Sequence, residues 1–173
     1  KLKILFILTV FLLVVSCSRE EASINLHSFS WSLHDSSDSI RIQNVNPSDV
    51  HLALLEDNII APPFYRNNEN KLQWIGEKDW VFETQFDLSA NILQHENVDL
   101  VFEGLDTYAE VYLNGTQILQ SNNMFRLWKV DVKPHLKKKN NTMKIVFASP
   151  IPIDQVKQAQ LSYSLPEIRG FTR

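Results

Sequence analysis

Only one cysteine, Cys17, occurs in 173 residues, so no disulfide can form within the chain and the fold must rest on its core. Glycine is scarce too: the chain has 4, none spaced as a nucleotide-binding loop requires. There is no Gly-x-Ser-x-Gly elbow to present a serine nucleophile. The histidines His27, His34, His51, His95 and His135 are scattered, and none has a second ligand at zinc spacing. We therefore expect no metal and no cofactor. A net charge of −3, with acids and bases interspersed, gives no electrostatic reason to bind nucleic acid. The basic run Lys137-Lys138-Lys139 is short and followed by Asn140-Asn141, which reads as a solvated turn. No apolar run is long enough for a permanent membrane span, which needs about 20 residues. The longest is Ile4 to Val15, broken by Thr9.

That run follows Lys1 and Lys3, and the pair suits a signal peptide over residues 1–16. It ends in Val14-Val15-Ser16-Cys17, which resembles the bacterial lipobox, where a cysteine receives a diacylglyceryl group and becomes the new N-terminus. Acyl chains contribute about 0.8 kcal/mol per buried methylene, so lipid on Cys17 is expected to hold an exported domain to a membrane. Ser18-Arg19-Glu20-Glu21 resembles the acidic tags of some Bacteroidetes surface lipoproteins, and it also serves simply as a tether. The expected location is periplasmic, outer-membrane or cell-surface. Residues 17–28 read as the tether and residues 29–173 as the folded domain. A start at Lys1 rather than Met, and the lack of an end signal at Arg173, read as a piece of a larger protein.

Beyond the tether the apolar period is two far more often than three to four. Trp80 to Leu88 alternates as a strand with one face in a core must. Val98 to Phe102, Leu127 to Val132, Met143 to Phe147 and the Ile40–Ile42 region read as further strands. Tyr108 to Leu113 and Thr116 to Leu119 flank Asn114-Gly115, the strongest short hairpin signal, because a type I′ turn needs positive φ at both central residues. Helices are expected to be few: one from an N-cap at Ser48 through Glu56, with Val50, Leu54 and Leu55 toward the sheet, and a turn or two over Asp154–Leu161. Many short strands with frequent turn signals predict an all-β sandwich with one or two short helices.

The chemistry-bearing stretch is the connection from Pro62 to Trp74, which combines Phe64, Tyr65 and Trp74 with Arg66, Asn67, Asn68, Glu69 and Gln73. Sugars present hydroxyl edges and apolar C–H faces, so a site for them needs amide or carboxylate partners beside an aromatic plate. The same residues also suit a loop that clamps one end of a sandwich. Asn68, Glu69 and Trp74 are the candidate substrate-proximal residues. Asn114-Gly115-Thr116 and Asn140-Asn141-Thr142 match glycosylation sequons but read as a hairpin turn and a loop.

Two runs carry a resemblance. Asp49-Val50-His51, Ile59-Ile60, Pro63-Phe64-Tyr65, Asn68-Glu69, Gln73-Trp74 and Asp79-Trp80 form the first. The second is Phe102-Glu103-Gly104-Leu105-Asp106-Thr107-Tyr108-Ala109, then Val111 to Gly115, then Asn123-Met124-Phe125-Arg126 with Trp128. Together they are similar to the opening domain of β-mannosidases of glycoside hydrolase family 2. The resemblance implies a jelly-roll β-sandwich of the galactose-binding-domain type over residues 29–173. It implies a retaining glycosidase in the full-length parent, with two glutamates about 5–5.5 Å apart on a later (β/α)₈ barrel. No catalytic residue then falls in this chain, and Glu103 and Asp106, the latter expected to be buried in a turn, are structural. The expected partners are mannose-containing oligosaccharides and the parent's own C-terminal barrel. Arg169-Gly170-Phe171-Thr172-Arg173 resembles the stretch before a Trp-Asp-Trp-Gly-Pro motif that contributes to the sugar pocket in that family. A chain stopping there would lose late strands and leave open edges, making it aggregation-prone. Two alternatives remain at this level: a free-standing carbohydrate-binding surface lipoprotein, or a spacer domain of another family 2 glycosidase.

Overall fold

Strands form where side chains alternate between core and water, and their register lines up like with like. The computed structural model describes residues 22–163; the leader, Cys17 and Arg169–Arg173 lie outside the described residues. The strands are β1 (Trp31–Asp35), β2 (Arg41–Val45), β3 (Trp80–Phe86), β4 (Asp99–Phe102), β5 (Tyr108–Leu113), β6 (Thr116–Asn122), β7 (Trp128–Asp131) and β8 (Asn141–Phe147). Six make one antiparallel sheet in the order β2-β1-β3-β8-β5-β6, and β4 with β7 make a second. This is the expected jelly-roll type of sandwich.

One cross-strand row on the inner face runs Ile42, Leu33, Phe82, Ile145, Val111, Leu119. All but Leu119 are buried, and burying each such side chain contributes about 1.5–3 kcal/mol before entropy is counted. The neighbouring row on the outer face runs Gln43, Ser32, Glu83, Lys144, Tyr112, Gln117. A slip of one residue would exchange these two rows, so the pattern fixes the register. Early and late strands meet in the middle of the sheet, where β3 pairs with β8, and the edges are β2 and β6.

The expected hairpin is present, with φ of 52° at Asn114 and 85° at Gly115. The Asn114 amide donates to the His135 carbonyl at 2.7 Å and lies 3.0 Å from the Asn141 side chain. Asn141 is fully buried, and its amide donates to the Lys137 carbonyl at 2.6 Å. The Asn114 sequon is thus built into turn packing, whereas Asn140, which heads the second, is exposed in its loop and, among the described residues, donates only through its backbone N, to Asp87 Oδ1 at 2.7 Å. Lys137, Lys138 and Lys139 are exposed, as a solvated turn requires.

Several boundaries differ from expectation for local reasons. The first helix, α1 (Val50–Glu56), is capped by Asp49 rather than Ser48, with the Asp49 carboxylate accepting from Leu52 N at 2.8 Å. Its Leu54 is buried while Val50 and Leu55 pack part-buried on the core, as expected, and Ala53 joins them. The last helix, α3 (Pro150–Ala159), begins earlier than Asp154, because Ser149 caps it and Pro150 opens its first turn instead of only ending β8. A short third helix, α2 (Asn68–Lys71), and a 3₁₀ turn over Gln73–Ile75 interrupt what reads as one loop. Inside the expected tether, Leu26–Ser28 form a 3₁₀ turn whose Leu26 carbonyl accepts from the Trp31 indole at 2.9 Å. Asp106 is exposed rather than buried, and its nearest side-chain partner is the Thr107 hydroxyl.

Candidate functional site

Strand register collects the long connections at one end of the sandwich. Trp80 opens β3 opposite Asp35, the last residue of β1, and opposite Phe147, the last of β8. Phe147 also faces Ala109 near the start of β5, and Tyr108 faces Asn122 at the end of β6. In the second sheet Phe102 pairs with Trp128, so the segments 103–107 and 123–127 leave from matching ends of β4 and β7. Segments 61–79, 103–107, 123–127 and 148–163 therefore share this end.

Polar ties hold these segments to one another. Ser149 N donates to Asp79 Oδ1 and Ser149 Oγ to the Gly76 carbonyl, each at 2.7 Å. The Tyr108 hydroxyl lies 2.5 Å from Asp154 Oδ1 and 2.6 Å from Lys157 Nζ, which docks α3 on the first residue of β5. A Cβ at Gly104 would meet the Met124 carbonyl at 3.0 Å, so glycine there lets two segments of this end touch backbone to backbone. Arg126 stacks over the Trp128 ring, its guanidinium 4.4 Å from the centroid.

The candidate residues divide between this scaffold and the surface. The Asn68 amide donates to the Pro62 carbonyl at 2.9 Å and closes the loop on itself. Glu69 is exposed in α2, while its carbonyl accepts from Leu72 N and from the Gln73 side chain at 2.9 Å. Trp74 is part-buried against the core, its ring 6.3 Å from that of Trp80 and 5.9 Å from the Lys78 ammonium. Trp80 donates through its indole to the Ile75 carbonyl at 2.8 Å. Trp74 thus clamps the end of the sandwich, as one reading of the loop anticipates. Phe64 does not: it is 100% exposed, with Tyr65 beside it at 58%. Phe125, at 88%, and Leu127 are exposed on the segment from β6 to β7. Isolated exposed apolar residues are ordinary, but two phenylalanines exposed at 88% or more on segments from the same end are not.

The outer face of the large sheet carries a shallow groove of about 620 Å³ lined by groups such as Arg41, Gln43, Glu83, Tyr112 and Lys144. None of Asn68, Glu69 and Trp74 borders it. Tyr112 donates to Glu110 at 2.5 Å, and this hydrogen bond to a carboxylate pushes the phenol above its ordinary range. Asp35, 1% exposed, accepts from Lys78 Nζ at 2.5 Å, from Ser37 and Ser39, and from Ile40 N at 2.8 Å. No signal in the sequence marks this ion pair, whose partners are 43 residues apart. Among the described residues no cluster of three or more His, Cys, Asp or Glu could hold a metal ion.

Comparison with known proteins extends the geometry. A family model described as glycosyl hydrolase 2 galactose-binding domain-like matches residues 31–173. The chain belongs to that family. The goat (Capra hircus) β-mannosidase is 33% identical over 165 residues, covering 92% of this chain and 18% of that protein. A β-mannosidase B of Thermothelomyces thermophilus is 41% identical over 103 residues, covering 60% of this chain and 12% of that protein. The crystal structure of a β-D-mannosidase from Dictyoglomus thermophilum superposes with a TM-score of 0.73 at 31% identity, over 78% of this chain and 16% of that one. This glycosyl hydrolase 2 domain thus spans less than a fifth of these relatives' length.

Proposed function

We propose that this chain is the N-terminal, non-catalytic domain of an exo-β-mannosidase that removes terminal β-D-mannose residues by a retaining mechanism. The observation that carries the reading is the similarity to β-mannosidases in both sequence and structure, over most of this chain and the smaller part of theirs. The acids here support it as well, since Asp35, Asp49, Asp79 and Asp154 each serve a turn, a cap or a segment tie. Within the parent, the end bearing Phe64, Tyr65, Phe125 and Leu127 packs on the barrel, and Asn68, Glu69 and Trp74 shape the loop that stands nearest substrate. Burial of two such aromatic side chains is the usual core of an intramolecular contact.

The test is an assay of the full-length product of the reading frame. An aryl β-mannoside should be hydrolysed with retention, while the aryl β-galactoside and β-glucuronide are not, and residues 22–163 alone should release nothing. Preference for a β-glucuronide would reassign the parent, and turnover by the isolated domain would refute the non-catalytic role.

We also propose that Cys17 carries lipid and anchors the exported protein to a membrane. Support comes from the apolar run and the Val14-Val15-Ser16-Cys17 sequence. Labelled palmitate should enter the wild-type protein and not Cys17→Ala, which should leave the membrane fraction; equal labelling of both would remove the anchor.

A further inference from the structure

The loop that reads as a sugar site in sequence turns its Asn68 and Trp74 into the scaffold. The outer face of the large sheet presents the same residue types to water. Its groove of about 620 Å³ falls in the usual range for ligand sites, roughly 300–1,000 Å³. It crosses β2, β1, β3, β8 and β5 along the row Gln43, Ser32, Glu83, Lys144, Tyr112. Four strand spacings of about 4.8 Å make that row roughly 19 Å long. At its β5 end the groove reaches Gly115, where even an added Cβ would meet nothing within 4 Å. That end is open, as a site for a long chain requires.

Tyr112 supplies an aromatic plate and is fixed on two sides. Its hydroxyl donates to Glu110 at 2.5 Å, and Lys144 Nζ lies 4.8 Å from the ring centroid. Gln43 and Gln85 are exposed on the same face, and each amide offers two donors and an acceptor, the set that sugar hydroxyls need. The charges of the groove are mixed. Arg41 is paired with Asp38 at 2.8 Å, and Glu83 stands beside Lys144 in the row. A chain with an anion on every unit would meet Glu83 as readily as the cations, whereas a neutral chain meets no repulsion.

We propose that this groove binds a neutral polysaccharide along its length, with Tyr112 against one sugar ring and Gln43 and Gln85 on the hydroxyls. It holds the interior of a polymer whose end goes to the parent's catalytic domain. The choice of a mannan as that polymer rests on the proposed function; the neutral-chain chemistry does not.

The experiment is native electrophoresis of the full-length product carrying Cys17→Ser, in gels with and without soluble glucomannan. A long polymer has few ends for its mass, so retardation reads binding to its interior. The protein with an intact groove should be retarded, and Tyr112→Phe should match it. Tyr112→Ala should weaken the affinity at least about tenfold. Gln43→Ala and Gln85→Ala should each weaken it about two- to tenfold, the range for one neutral hydrogen bond. Both glutamines are exposed, so these variants carry the test if Tyr112→Ala does not fold. Absence of retardation overturns the proposal. So does retardation that the three alanine variants leave unchanged, and so does a preference for polygalacturonate, which makes the groove an anion site. Hydrolysis of an aryl β-mannoside by the same preparations keeps the two readings apart: an inactive parent that is still retarded loses the proposed function and keeps the groove.

Discussion

Replacing Trp80 with alanine is expected to lower stability by about 3–5 kcal/mol, the usual cost of deleting a buried aromatic ring. Trp80 is 4% exposed and opens β3 at the end of the sandwich where the long connections gather. Its ring packs against Trp74, and its indole satisfies the Ile75 carbonyl at the close of the 3₁₀ turn. The variant therefore leaves a cavity and frees the loop from Pro62 to Trp74 together. Urea unfolding followed by the remaining tryptophans measures the loss. Trp80→Phe separates the two contributions: it keeps most of the apolar area and forfeits the hydrogen bond, worth about 0.5–1.5 kcal/mol. A Trp80→Ala protein that unfolds at the wild-type midpoint would show that the loop, not the indole, organises this end.

Asp35→Ala should cost about 1–3 kcal/mol near neutral pH, because it leaves Ile40 N without its acceptor and takes the counter-charge from Lys78, a third exposed and so partly resolvated. Burial by itself pushes the Asp35 carboxyl up. The Lys78 ammonium, then the Ser37 hydroxyl, the Ile40 amide and the Ser39 hydroxyl outweigh it and hold the group well below the usual carboxylate range. A depressed folded-state value means stability that is complete above the unfolded value, about 3.9, and that drains away as pH falls below it. Wild-type stability should thus drop more steeply than that of Asp35→Ala on acidification from about pH 5 to pH 2, and the two curves should converge. Parallel curves would mean that the carboxylate is not the titrating group. Changing Lys78 to Met in the Asp35→Ala background should recover part of the loss, since the orphaned ammonium goes with it.

How far the fold could be read from sequence depended on the range of the forces that set each element. Asn114-Gly115 fixes its hairpin through two local φ values, and Trp80 to Phe86 fixes a strand through strict alternation. The β1 strand was not anticipated although it alternates, because its last inward residue is Asp35, and an acid in a core position makes sense only once Lys78 is beside it. α2 has four residues, too few for any helical period to show. Asp49 and Ser48 are both competent caps, and the choice between them lies in which one stands nearest Leu52 N. The candidate sugar loop was legible as a cluster of residue types. That Asn68 and Trp74 turn inward while Phe64 and Tyr65 face water was not, since it depends on Pro62 and Trp80 across the turn.

The position of β8 sets an order of events. Among the described strands this one is the last to be synthesised, yet it lies between β3 and β5. Until residues 141–147 arrive, the sheet exists as two unjoined halves, a β2-β1-β3 piece and a β5-β6 hairpin, each with an apolar face and no partner. At about 5–20 residues per second, β3 waits several seconds for its neighbour. Any factor that shields nascent chains has its longest opportunity in that interval, and a pause in translation just short of Asn141 would prolong it.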